Sequence, residues 1–198
     1  MSFSLKIKNV GRNPAENFSI KIYLDQNQDS CRQADELCWR QDINQSLKSD
    51  STLIVTGKIT AERAGRSLYL AELEYSLDEN LDDNYAGTDL VVAFPAGCLT
   101  LNEFLAYPTS NQVEFIECIN VSDETIDLSG WMLGNRYLKA EISGGKVPAG
   151  GYLILSGDSA CFNYFKTDNA AVIIPGKWPG LNNSADQIWL KDLSGKII

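Results

Sequence analysis

The residues best placed to do chemistry lie in one short polar run, Asp25-Gln26-Asn27-Gln28-Asp29-Ser30, which continues to Glu36. Counted from Asp25, side-chain oxygens recur at loop positions 1, 3, 5 and 12, with the Cys31 carbonyl at 7 and Gln33 at 9. In such a loop alternate residues point inward around a hard cation, and the terminal carboxylate closes the shell with both its oxygens. Asp25, Asn27, Asp29, Cys31 and Glu36 are therefore the candidate ligands of a Ca2+ ion. Ser30 stands at the sixth position, where the sharp turn favours glycine. The flanks read as strands rather than helices, so the site would be a stand-alone loop. A solvated hairpin tip explains the same residues, because Asp, Asn and Ser are also turn formers. Both readings stand.

Other side chains offer weaker chemistry. Asp78–Asn84 gathers four carboxylates and two amides, either as oxygens for an ion or as a charged, solvated connection. Glu103, Glu114 and Glu117 would form an acid/base pair for hydrolysis only if two of them met in a cleft. Alternating Glu on a strand more simply marks its solvent face. Trp178, in Pro175-Gly176-Lys177-Trp178-Pro179-Gly180, and Trp39, just beyond the polar run, are candidate stacking groups for a carbohydrate. The alternative is that these aromatics fold back onto the core. Trp131 and Trp189 are assigned to packing.

What the chain lacks narrows the function. It contains no histidine, which removes the usual general base, the commonest transition-metal ligand and every Ser-His-Asp or Cys-His mechanism. Its five cysteines, Cys31, Cys38, Cys98, Cys118 and Cys161, form no CxxC pair, so a zinc ribbon is not expected. Either Cys31 bridges Cys38 across the polar run, or all five are free, buried thiols. A net charge of −9 repels phosphate backbones and argues against nucleic acid. The reading is a protein that is not an enzyme.

The elements that must position these residues are strands. Apolar residues come in bursts of four to eight separated by Gly, Asn, Asp, Ser and Pro, and 198 residues suit two sandwiches of about 100 each. In the first half Leu5–Val10 alternates. Phe18, Ile20, Ile22 and Leu24 then face one way, with Ser19, Lys21 and Tyr23 the other. Further strands are expected at Leu53–Thr56, Leu68–Tyr75 and Asp89–Phe94. Pro95-Ala96-Gly97 breaks the pattern, giving an all-β chain of two tandem immunoglobulin-like β-sandwiches, 1–94 and 95–198. No apolar run reaches the ~20 residues of a membrane helix, and no signal peptide is visible. The abrupt ends suggest a piece of a longer protein.

Ile7-Lys8-Asn9-Val10-Gly11, Phe18–Asp25 and the Glu/Asn-rich stretch before the last strand of the first half resemble the cell-adhesion-related bacterial domain known as CARDB, over roughly 3–94. The second half is similar to the bacterial lamin tail domain. That similarity rests on Leu99–Ala106, Val113–Asn120, Ile126-Asp127-Leu128-Ser129-Gly130-Trp131, Val147–Leu155, Leu181–Asp186 and Leu190–Gly195. Ala185 departs from it, standing where that family usually has Gly. The resemblances imply immunoglobulin-like sandwiches without catalytic residues. They further imply a binding, adhesion or spacer segment of a larger secreted or cell-surface bacterial protein, whose partners are other protein domains or a surface polymer. A carbohydrate-binding accessory module of an extracellular hydrolase is the alternative.

Overall fold

The computed structural model describes residues 1–61, 63–110, 112–163, 165 and 169–198. Among these, regular structure is β-strand apart from three short 3-10 turns. The chain divides into two compact units, Met1–Leu90 and Val91–Ile198. Phe94, read from sequence as the end of the first half, falls in the second. Its ring meets Trp131 edge-on with centroids 5.1 Å apart, and its N–H donates to the buried Asp192 carboxylate.

In the first unit β1 (Ser2–Lys8) pairs antiparallel with β4 (Thr52–Lys58). The second sheet runs in the order β3 (Leu37–Ile43), β2 (Phe18–Asp25), β5 (Gly65–Glu74), β6 (Tyr85–Val92). β1 alternates as a half-buried strand should: Phe3, Leu5 and Ile7 turn inward while Ser4, Lys6 and Lys8 meet solvent. Leu5 lies opposite Val55 and Ile7 opposite Leu53. Their inner faces share one core with Phe18, Ile20, Ile43 and Leu47, which makes the two sheets a sandwich. β2 is an inner strand and both of its faces are covered. Ser19 and Lys21 bond to Glu74, and the Tyr23 hydroxyl donates to Glu72 at 2.8 Å.

In the second unit a four-stranded sheet runs in the order β14 (Ala170–Ile173), β13 (Tyr152–Ser156), β8 (Phe115–Asn120), β7 (Leu99–Leu105). A three-stranded sheet follows the order β11 (Lys139–Ile142), β10 (Trp131–Gly134), β15 (Trp189–Lys191), and β9 (Ile126–Asp127) pairs with β12 (Lys146–Val147). β13 lies between an antiparallel and a parallel neighbour. Leu153, Ile154 and Leu155 are all buried, as the continuous apolar run of a strand covered on both faces requires. Gly130 takes φ +76 in the Ser-Gly turn, which delivers Trp131 into the interior, where it is wholly buried.

Candidate functional site

The polar run becomes the loop of the β2–β3 hairpin. β2 ends at Asp25, and a 3-10 turn at Ala34–Glu36 leads into β3. Asp25 is only 5% exposed. Its Oδ1 accepts the Asp29 N–H at 3.2 Å and its Oδ2 the Ser30 N–H at 3.0 Å. Asn27 Oδ1 also accepts the Asp29 N–H, at 3.0 Å, and Asp29 Oδ1 accepts the Cys31 N–H at 2.7 Å. The second Asp29 oxygen takes the Asn27 and Gln33 side-chain amides. Ser30 adopts φ +58 and Gln28 φ +62, a left-handed geometry costing about 1–2 kcal/mol for a residue with a Cβ. Ser30 thus takes the backbone shape expected of glycine, and its bond to Asp25 helps to hold it there.

Glu36 closes the loop from the far end. It is 4% exposed, and its Oε1 accepts the Gln26 N–H at 2.9 Å. Its Oε2 is buried with no hydrogen-bond partner. Arg32, the one basic residue between Asp25 and Glu36, pairs with Glu72 at 3.6 Å and lies over the Tyr85 ring at 3.8 Å. Among the described residues no three Cys, Asp or Glu side chains converge to hold a metal by themselves. A calcium shell in this loop would draw equally on the Asn27 amide and the Cys31 carbonyl.

The cysteines contribute no bridge to the loop. Cys31 is an exposed free thiol, so of the two alternatives the Cys31–Cys38 disulfide is not made, and Cys38 Sγ instead donates to the Ile22 carbonyl at 3.3 Å. Cys98 and Cys161 are buried, but Cys31 and Cys38 are exposed, so the all-buried alternative holds only in part. The Asp29 charge beside Cys31 pushes its thiol up. Burial, with Glu117 nearby, pushes Cys118 up to about 11. Thiols held in the protonated form are poor nucleophiles.

The aromatic candidates are engaged by the protein. Trp39 meets Phe3 edge-on at 4.9 Å and packs against the first core. A Cβ added at Gly57 would stand 2.5 Å from Phe3 and 3.0 Å from Trp39, so the missing side chain there makes room for the pair. Trp178 is half-buried; its indole N–H donates to Glu114 at 2.7 Å and its ring covers Gly157. The same Glu114 oxygen accepts the Leu181 N–H at 3.0 Å, so this carboxylate anchors the Trp178 loop. Glu117 accepts from Asn102 at 2.6 Å. Among the described residues Glu103 is the one carboxylate lining a shallow cleft formed with Leu105, Gln112, Val113, Phe115 and Phe165. Asp78 binds the Asn80 N–H and the Asn84 amide, so the acidic stretch is braced partly by its own side chains.

Among the described residues, four buried polar residues of the second unit escaped the sequence reading: Asn120, Asn135, Asp192 and Ser156, whose hydroxyl donates to the Glu114 carbonyl at 2.6 Å. Asn120, fully buried, donates to the carbonyls of Glu124, Val147 and Pro148 and accepts from Ser122. Asn135 donates to the Pro179 carbonyl and accepts the N–H groups of Tyr137 and Leu138. Asp192 accepts the N–H groups of Phe94, Ser194 and Lys196 and the Ser194 hydroxyl. Burial would raise its carboxyl, but these hydrogen bonds hold it below the usual range. Asp186 accepts the N–H groups of Asn182 and Gln187, so the turn closes with Ala185 in place of glycine. Asn120 ends β8 and Asn135 follows β10.

The family described as Lamin Tail Domain matches residues 93–198. No curated protein matches the chain. The match covers just over half of the chain and takes in the second unit almost entirely, with Trp131 and the Asp192 turn inside it. The chain belongs to the lamin tail domain family.

Proposed function

We propose that the chain is a non-catalytic interaction segment of a larger secreted or cell-surface bacterial protein, holding partner domains or anchoring them to a surface. Membership of the lamin tail domain family supports this reading, since that family is an immunoglobulin-like, non-enzymatic type of interaction domain. The first unit is read as its CARDB-like companion on Ile7–Gly11 and Phe18–Asp25. The polar side chains buried in the second unit are spent on bracing turns and loops, which suits a scaffold that presents a surface.

The observation that carries the reading is β7. It is an outer strand of its sheet, and Leu101 and Phe104 on it are 57% and 60% exposed, with Tyr107 just past its end 74% exposed. An outer strand bearing apolar side chains offers a partner protein both main-chain hydrogen bonds and apolar contact. A net charge of −9 disfavours nucleic acid as that partner. The carbohydrate alternative finds less support, because the Trp178 N–H is already bonded and part of its ring lies on Gly157.

Photo-crosslinking side chains placed at Phe104, and at exposed Val121 as a control, test the proposal in the full-length parent. A discrete protein adduct formed at position 104, absent at 121 and competed by excess unlabelled chain, is the expected result. Equal adducts at both positions would count against it. So would polysaccharide binding abolished by Trp178→Ala, which would establish the carbohydrate reading instead.

A further inference from the structure

β7 meets β8 with a register shift between Leu101 and Glu103, and the shift sorts its side chains by face. Leu101 lies opposite Cys118 and Phe104 opposite Ile116, so these two exposed apolar residues, three apart in sequence, share one face. Glu103 lies opposite Glu117 and Leu105 opposite Phe115 on the other face. Two carboxylates set across from each other on neighbouring strands repel. The Asn102 amide donates to one Glu117 oxygen at 2.6 Å. Among the described residues every ion pair lies in the first unit, so no basic side chain answers Glu103 or Glu117. Glu103 also stands at the shallow cleft whose apolar lining includes Leu105, Val113 and Phe115.

Resting on the reading of β7 as the docking strand, we propose that its partner is an extended segment of a second protein in which a Lys or Arg stands between two apolar residues. Successive residues of an added strand face opposite ways, which matches the two faces of β7. The flanking apolar side chains lie against Leu101 and Phe104. The basic side chain between them lays its aliphatic stem along Leu105 and Phe115 and sets its cation at Glu103 and Glu117. The open main-chain groups of the outer strand supply the hydrogen bonds. A net charge of −9 draws such a segment in. A second copy of this chain fits poorly, because it adds its own Glu103 and Glu117 to a pair of carboxylates that is already unanswered.

Fluorescence anisotropy of the purified chain with two synthetic peptides tests the assignment. Both have seven residues, the length of β7, and differ only at the centre, where lysine or glutamate is flanked by valine and then threonine. The lysine peptide should bind saturably and at least about tenfold more tightly than the glutamate peptide, since opposed like charges are costly. Glu103→Lys should reverse that preference. Glu141→Lys, an equal change of charge at an exposed position on β11, should leave it as it is, which separates the site from the overall charge. Phe104→Ala should weaken the lysine peptide. Equal binding of the two peptides, no saturable binding of either, or a preference unchanged by Glu103→Lys would overturn the basic partner. So would a chain that sediments as a dimer and becomes monomeric on Phe104→Glu. A discrete adduct still formed at position 104 of the full-length parent in any of those cases leaves the interaction reading standing without this partner; loss of that adduct as well brings both down.

Discussion

A carboxylate taken out of water must be answered by donors or by a cation. Asp192 is answered by donors: three backbone N–H groups and the Ser194 hydroxyl converge on it. Burial opposes its ionisation, yet these bonds leave its pKa lowered. A group whose folded pKa lies below its unfolded value stabilises the fold above the unfolded value, about 3.9 for aspartate. That stabilisation fades as pH falls through the lowered pKa. Asp192→Asn should cost about 2–3 kcal/mol near neutral pH, since hydrogen bonds to a charged group are the strong ones. It should also flatten the loss of stability below about pH 4; urea unfolding across that range measures both. At this scale the alternation of side-chain oxygens at Asp25, Asn27, Asp29 and Glu36 was legible in sequence. Asn120, Asn135 and Asp192 were not. A buried amide or carboxylate that braces a turn has the same local signature as a solvated turn residue, and the partners that distinguish them lie far along the chain.

Elements were legible where one face is buried. β1 and β4 alternate cleanly; β2 is covered on both faces, and Phe18 and Ile20 of its expected inward face join the core of the first sandwich. β3 was missed because its exposure pattern does not alternate: Cys38, Arg40 and Gln41 are all exposed, and the register shifts opposite Ile22/Tyr23. β14, parallel to β13, was missed because four residues are too few to show a period. Close packing at one crossing gives a direct test of the first sandwich. Gly57 faces Phe3 in the β1–β4 register, and an added Cβ would sit 2.5 Å from that ring. Gly57→Ala should therefore destabilise the unit by about 1–3 kcal/mol. Combined with Phe3→Ala, the loss should be smaller than the sum of the two, because both changes act on one space. Denaturant midpoints of the four proteins in that cycle measure the coupling.

For the whole molecule, the all-β class followed from short apolar bursts and turn residues, and the lamin tail match at residues 93–198 followed from motifs in fixed order. The division at Leu90/Val91 was less legible. Pro95 and Gly97 mark a turn, but it is the packing of Phe94 that assigns that segment to the second unit. On the proposed reading the second unit presents β7, with Leu101 and Phe104 exposed, on a scaffold braced by its own polar side chains. Hydrogen exchange over the whole chain, alone and with the protein captured from Phe104, is the direct test. Slower exchange in the amides of Leu99–Leu105 is the expected result. Amides of Leu99–Leu105 that exchange at the same rate with and without that protein would overturn the reading.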